Sequence, residues 1–236
     1  HVIRHAADAG GGAIRFAKSR NATVGSHTIV QDGDTLGEIA FFGDDGGDLE
    51  PFAATIKVFV DGTPGTGDMP GRMEFSTTPD GAEAAALAMK ISSSGEITKP
   101  KHPCFGTAVT STISNITGNH DGYTVVWNSE LFDQGGNLSG ATFTAPVAGK
   151  YWFEAQLTLT GVASNHTEGY IRLQTTSGTI KEYINYFNPY ANETTVNSFT
   201  PIGITCMVDM TAGQTAQVNL KVSGGSKIID INGSTN

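Results

Sequence analysis

Residues 151–159 read Tyr-Trp-Phe-Glu-Ala-Gln-Leu-Thr-Leu. Positions 151, 153, 155, 157 and 159 are apolar, and 154, 156 and 158 are polar. Trp152 is the one exception on the polar face. A period of two suits a strand with one buried face and does not suit a helix. Such a strand needs a second layer to cover its apolar row. The surrounding region, 104–236, supplies candidates for both layers: 107–113, 124–127, 141–144, 149–159, 169–175, 180–186, 198–210 and 215–222. Turn residues separate them, among them Asp133 to Gly136, Pro146 to Gly149, Ser177-Gly178, Asn188-Pro189, Ala212-Gly213 and Gly224-Gly225. Many short strands between regular turns predict a β-sandwich or jelly roll.

The first hundred residues read differently. Asp32-Gly33, Asp45-Gly46, Asp61-Gly62, Pro64-Gly65, Pro70-Gly71 and Asp80-Gly81 mark turns. Short β-prone runs lie between them, at 29–30, 38–42, 55–60 and 72–76. In the third run Ile56, Val58 and Val60 alternate with Thr55, Lys57 and Phe59. Strands this few bury little surface alone, so the segment is expected to gain its core from neighbouring chains. Residues 82–90 have helix-forming composition, with Asp80 as N-cap, and predict the one helix. Ser92 to Gly95, then Pro100 and Pro103, resist regular structure and mark a boundary. The expected organisation is a β-rich segment over 1–98, a Pro-containing collar over 99–103 and a β-sandwich over 104–236. The fold class is all-β.

Composition narrows the function. The 236 residues carry 14 Lys/Arg against 23 Asp/Glu, a formal net charge of −9. Residues 1–100 hold 8 basic and 14 acidic side chains, so most of the excess lies there. An acidic chain has little with which to neutralise phosphates, so no nucleic-acid partner is expected. No apolar run approaches the roughly 20 residues of a membrane-spanning helix, so no membrane insertion is expected. The first residue is His1 and no signal peptide is visible, which reads as a fragment or processed piece.

Two stretches resemble known families. Phe143-Thr144-Ala145-Pro146-Val147-Ala148-Gly149-Lys150-Tyr151-Trp152-Phe153 resembles the F-x-A-P-x-x-G signature and following Y-x-F strand of the C1q/TNF-like jelly-roll family. The segment before it, with Phe132-Asp133 and Gly135-Gly136-Asn137, and the hairpin from Met210 through Thr211-Ala212-Gly213-Gln214 to Val218 resemble the same family in order and spacing. That family closes with an aromatic strand of the form T-x-F-S-G-F/Y. Here Gly233-Ser234-Thr235-Asn236 stands where it should begin, so either that strand lies outside this piece or another element replaces it. The first part resembles virion fibre segments of tailed phages of the marine type. The residues that carry this run from His27 through Gly33 to Ile39, from Val60-Asp61-Gly62 to Gly65, from Asp68 through Gly71 to Thr78, and from Met89 to Gly95. Residues 97–105 resemble the collar leading into a C1q-like tip. The resemblance implies a homotrimeric virion fibre or appendage protein, with a short β-rich trimeric shaft segment and a C1q/TNF-like jelly-roll head. It implies location on the virion, assembly in the host cytoplasm, and attachment to a host cell-surface glycan or protein. Two alternatives stand beside attachment: a purely structural cap or decoration that binds other virion proteins, and a glycan-depolymerising tailspike. A secreted signalling role of the C1q/TNF type is a further rival. The six Asn-x-Ser/Thr sequons at Asn21, Asn115, Asn137, Asn165, Asn192 and Asn232 would suit it, although chance explains several in so Asn-, Ser- and Thr-rich a chain.

No enzyme signature stands out. Asp44, Asp45, Asp48 and Glu50 form the densest acidic cluster. Paired acids serve glycoside hydrolysis, but a solvated turn among glycines explains the cluster more simply. The same oxygens suit Ca²⁺, although the D-x-[DN]-x-[DN]-G spacing is absent. Otherwise no cofactor is expected. The six His show no metal-ligand spacing; His102, in the collar, is the candidate for zinc shared at a threefold axis. Cys104 and Cys206 read as small buried hydrophobes or as a pair brought together by the fold. For receptor contact, aromatics with amides in polar loops suit sugars, since rings stack on C–H faces while amides bond hydroxyls. The candidates are Asn165, His166, Tyr186, Asn188, Tyr190 and Asn192, in loops 161–168 and 188–197. Tyr183 and Phe187 alternate with them and are candidates for the core.

Overall fold

The computed structural model describes residues 5, 7, 9–177, 179–189 and 199–233. Tyr190 and Asn192 lie outside the described residues. The chain divides into two compact units, His1–His102 and Pro103–Asn236. Among the described residues every regular element is a strand, apart from a single 3₁₀ position.

The first unit is one five-stranded antiparallel meander. Its strands are β1 (Thr35–Phe42), β2 (Phe52–Val60), β3 (Gly71–Thr77), β4 (Ala86–Ile91) and β5 (Ile97–Thr98), in spatial order β1-β2-β3-β4-β5. Register sorts the side chains sharply. One row across the sheet is Ile39–Ile56–Phe75–Met89, and the next is Gly37–Val58–Met73–Ile91–Ile97. Phe41 and Ala54 extend the same face. The opposite face carries the row Glu38–Lys57–Glu74–Lys90, with charges alternating from strand to strand. Lys57 pairs with Glu38 at 3.1 Å and Arg72 with Glu74 at 2.7 Å. Arg72 also lies over the Phe59 ring, 4.5 Å from its centroid. Opposite charges placed across strands favour this pairing, and apolar residues across strands do the same on the other face.

Among the described residues of its own unit, no second sheet or helix covers the apolar face. Among the described residues of this unit only Val30, Thr55, Val60 and Pro64 are buried. Ile39, Phe41, Met73 and Ile97 are exposed. Phe16 sits over one corner, where Gly37 leaves room: a Cβ there would lie 2.6 Å from the Phe16 Cβ.

Residues 82–90 are a correction to the sequence reading. The expected helix is absent, and 86–91 form β4 instead. Ala82 N–H closes a turn onto the Pro79 carbonyl, with Gly81 at φ +78°. A helix this short pays the full cost of nucleation. As a strand, the same residues gain a ladder to β3 and set Met89 against Phe75.

A bidentate ion pair ties the N-terminal stretch to the turn before β1. Arg20 Nε and Nη2 each donate to an Asp34 carboxylate oxygen at 2.7 Å. These bonds, and one from the Gln31 N–H, hold the Asp34 carboxyl well below the usual carboxylate range. Its folded pKa is below its unfolded one, so its stabilisation is present above about pH 4 and fades as pH falls further. Asp34→Asn is expected to lower thermal stability of the first unit at neutral pH and to flatten its decline below about pH 4. Melting curves across that range check this, and an unchanged acid limb would refute it.

The second unit is a two-sheet sandwich. Its strands are β6 (Cys104–Ala108), β7 (Ile113–Thr117), β8 (Gly122–Thr124), β9 (Ser129–Gln134), β10 (Leu138–Ser139), β11 (Thr142–Thr144), β12 (Gly149–Thr160), β13 (Glu168–Ser177), β14 (Thr179–Phe187), β15 (Thr200–Met210), β16 (Thr215–Ser223) and β17 (Ile229–Ile231). One sheet runs β10-β11-β16-β13-β14, with β8 beside β16. The other runs β15-β12-β17-β7, and β6 with β9 forms a separate two-stranded ribbon. From β11 to β17 every connection except the β13–β14 hairpin crosses between sheets. That is a jelly roll. The expected strand 107–113 is two elements, β6 and β7, because the chain bends between Ala108 and Ile113.

Phe153, Ala155, Leu157 and Leu159 of β12 are buried as their period requires, and Trp152 points out at 64% exposure. They pack with Ile171 and Leu173 of β13, Ile202, Ile204 and Val208 of β15, and Val218 and Leu220 of β16. Phe105, Phe143, Tyr151 and Phe153 form one aromatic group, with Phe143 stacked on Phe105 at 5.2 Å and edge-on to Phe153 at 5.4 Å. The place beside β12 is not left empty at 229–233: β17 occupies it, between β12 and β7, with Ile231 opposite Leu159.

Candidate functional site

The jelly roll gathers several loops at one end of the second unit. The β13–β14 hairpin pairs Gly169 with Phe187, so the loop entering β13 and the exit from β14 lie together. Asn165 and Asn188 are both exposed there. The turns 118–121 and 223–228 join them. Gly225 N–H bonds the Gly118 carbonyl at 3.0 Å, and Thr167 N–H bonds the Ser223 carbonyl at 3.0 Å.

His166 is the hub of these loops and is fully buried. This corrects its place among the receptor-contact candidates. Ala163 N–H donates to His166 Nδ1 at 2.8 Å, which leaves the proton on Nε2, and Nε2–H faces the Ser226 carbonyl at 3.3 Å. Two glycines make room for the ring. A Cβ on Gly225 would lie 2.5 Å from His166 Nε2, and one on Gly118 would lie 2.1 Å from the Ser226 carbonyl oxygen. Gly118 also holds φ +126°, a conformation that side chains disfavour. This loop histidine reads as exposed in sequence because Ser226, Gly118 and Gly225, which enclose its ring, lie far away along the chain.

Beside this hub the outer face of the β16-β13-β14 sheet carries rings and cations. Tyr186 is 68% exposed and meets Tyr170 edge-on at 5.9 Å. Arg172 lies 5.3 Å and Lys221 5.8 Å from the Tyr170 centroid. Lys221 Nζ donates to His120 Nε2 at 2.9 Å, so His120 carries its proton on Nδ1, within 2.9 Å of Ser223 Oγ. Ser223 Oγ in turn donates to Glu168 Oε1 at 3.4 Å. Asp121 is bonded by Asn119 and by Lys227, which together hold its carboxyl below the usual range. Of this patch, sequence reasoning found only Tyr186. Tyr170, Arg172 and Lys221 come from two strands far apart in sequence, and strand alternation alone marks them as outward-facing.

The remaining candidates have structural roles. Asp44, Asp45 and Asp48 are spent on their own loop: Asp44 accepts from Gly46 N–H, Asp45 from Gly47 and Asp48 N–H, and Asp48 from Glu50 N–H. These are turns made by short acidic side chains, which compete locally for backbone donors. Tyr183 and Phe187 pack against the core of the sandwich. Cys104 and Cys206 are both free thiols, and burial pushes the Cys206 thiol up. Among the described residues no three His, Cys, Asp or Glu side chains gather to hold a metal ion.

No protein-family model matches the chain, and no curated protein matches it. Solved structures do. The globular domain of zebrafish complement 1qA is similar with 13% identity and a TM-score of 0.39, over 55% of this chain and 93% of that one. Murine APRIL at pH 5.0 is similar with 14% identity and a TM-score of 0.39, over 56% of this chain and 99% of that one. Murine APRIL at pH 8.5 gives 13% and 0.38, over 56% and 98%.

Proposed function

We propose that this chain is a homotrimeric virion fibre or appendage protein that attaches to the host surface through its jelly-roll head. The observation that carries the reading is the amphipathic single-layer sheet of the first unit. Five strands present an apolar face that the described residues of the unit leave largely uncovered, and an alternating charge row on the other side. Exposed apolar faces of this extent mark association surfaces. Three copies packed on that face would bury it and leave the charges in water. The head has a second uncovered pair, Trp152 and Met207, directly opposite each other on β12 and β15.

The exposed ring of Tyr186, with Tyr170, Lys221 and the amide of Asn188 nearby in the fold, is the contact surface of each head. Aromatic rings stack on sugar C–H faces, and cations favour acidic sugars. Three such sites on one particle gain avidity from effective concentration rather than from tight single contacts. In this reading the role is binding, and Asp44, Asp45 and Asp48 of the densest carboxylate cluster hold their own turns.

The test is adsorption of labelled trimer to arrays of acidic and neutral bacterial surface polysaccharides. Tyr186→Ala is expected to reduce retention at least about tenfold while leaving the particle mass unchanged. Silence on every array, together with tight binding to another virion protein, would replace attachment with a structural cap.

A further inference from the structure

His120 stands where a side chain is uncommon. It lies in the turn between β7 and β8 at φ +80°, a backbone conformation that residues other than Gly rarely adopt. Its N–H bonds the Val222 carbonyl at 3.1 Å, and its side chain is exposed. Backbone held in this region gathers at functional sites.

The two sides of the imidazole are served differently. On the Nδ1 side an acceptor chain is in place. Nδ1–H donates to Ser223 Oγ at 2.9 Å, and Ser223 Oγ donates to Glu168 Oε1 at 3.4 Å. Ser223 is buried, so little water competes for this bond. On the Nε2 side stands a donor, the Lys221 ammonium, at 2.9 Å. The other charges beside the ring are paired with each other: Asp121, next to it in the turn, accepts from Asn119 at 2.9 Å and from Lys227, in the turn after β16, at 3.4 Å. A protonated imidazole donates from both nitrogens. The Nδ1 proton already has its acceptor, backed by the Glu168 carboxylate. The Nε2 proton would meet Lys221, like charge against like. What the charged ring needs is an anion between Nε2 and the Lys221 Nζ.

We propose that His120 and Lys221 form a proton-linked site for the carboxylate of an acidic sugar, which enters between the two nitrogens as His120 takes up a proton. The proposal rests on the attachment reading above and names the ligand class and the pH response of that surface. One carboxylate oxygen accepts from His120 Nε2–H and the other from Lys221 Nζ, whose long stem lets the ammonium move aside. Such charge-assisted bonds are roughly twice as strong as neutral ones. The sugar ring lies towards Tyr170, whose centroid is 5.8 Å from Lys221 Nζ, and an aromatic ring suits the C–H face of a sugar. A neutral sugar reaches the same ring but leaves the imidazolium without its second acceptor. Carboxylate binding and protonation therefore favour each other. Affinity for an ionised carboxylate rises as pH falls through the range where histidine changes charge.

The experiment is titration calorimetry of the full chain with galacturonate and with galactose, at about pH 5.5 and about pH 8, either side of the usual charge change of histidine. Galacturonate stays ionised at both, as carboxylates do well above about pH 4, so a change in its binding comes from the protein. Galacturonate is expected to bind at least about tenfold more tightly at the lower pH, and galactose equally at both. Repeating the titration near neutral pH in two buffers of different ionisation heat is expected to show proton uptake with galacturonate alone. His120→Asn, which keeps a residue tolerant of positive φ, is expected to bind galacturonate equally weakly at both pH values. Lys221→Gln is expected to weaken galacturonate at least about fivefold at each pH, and it stands as the test should His120→Asn fail to fold. Galacturonate binding that is the same at both pH values, that is absent at both, or that takes up no proton would overturn the proposal. So would a pH dependence that survives His120→Asn, or full affinity in Lys221→Gln. The attachment reading fails on a different result. A head whose retention on polysaccharide arrays depends on Tyr186 but which ignores galacturonate keeps attachment and loses this site.

Discussion

On the trimeric reading proposed above, Ile56→Asp is expected to reduce the particle from three times the 24.7 kDa chain mass to a single chain, with the jelly roll still folded. Ile56 sits on β2, in the row Ile39–Ile56–Phe75–Met89 of the first unit. In one chain it is half-buried, so an aspartate there keeps much of its hydration. In a trimer packed on that face it would lie in the centre, away from water, once per chain. A carboxylate buried without a partner costs several kcal/mol, and here the cost comes three times. An interface made from half-exposed apolar rows has little surplus to meet it. Lys90→Gln, on the opposite face, is the control and is expected to leave the particle mass unchanged. Light scattering with intact mass reads both. A trimer that survives Ile56→Asp would mean that the apolar face is not the assembly surface.

His166→Ala is expected to be the most damaging single change in the loop end of the head. The substitution removes the acceptor of the part-buried Ala163 N–H and one donor to the Ser226 carbonyl, which still accepts from Ile228 N–H at 2.9 Å. The Ala163 donor left without its partner costs about 1–3 kcal/mol. The space vacated between Gly118 and Gly225 adds a cavity term, so a total on the order of 3–5 kcal/mol is expected. Asn165→Ala, one residue away and exposed, is expected to change stability by less than about 0.5 kcal/mol. Denaturant melts of the two variants separate the readings. Equal small effects would show that the loops hold together without the ring.

The two residues also show where sequence was informative. The strand at 151–159 was legible because burial on one face imposes a period of two, and each inward side chain is where that period puts it. The turn between β15 and β16 was legible from Ala212-Gly213, where Gly213 holds φ +81° and Gln214 N–H closes onto the Thr211 carbonyl. Residues 82–90 misled because Ala, Leu and Met favour a helix locally, and what overrode them was pairing with β3, a tertiary fact. His166 misled for a related reason. Its neighbours by sequence are polar loop residues, while its neighbours in space are two glycines, one about fifty and one about sixty residues away. The cationic rim around Tyr170 is assembled the same way, from strands that meet only through sheet order.

The charge row of the first unit does something that the apolar rows cannot. Sliding β3 along β2 by two residues keeps every apolar side chain on its own face, so hydrophobicity is almost blind to that error. The electrostatics are not. In the observed alignment Lys57 stands opposite Glu74 and Arg72 stands opposite Phe59. Two residues of slip in one direction set Lys57 against Arg72, like charge against like, and separate Arg72 from the ring it covers. The row thus acts as a ruler with a two-residue graduation. In a trimer built on the opposite face, it would fix the height at which the three chains meet, so that an error in one strand would become a mismatch in all three.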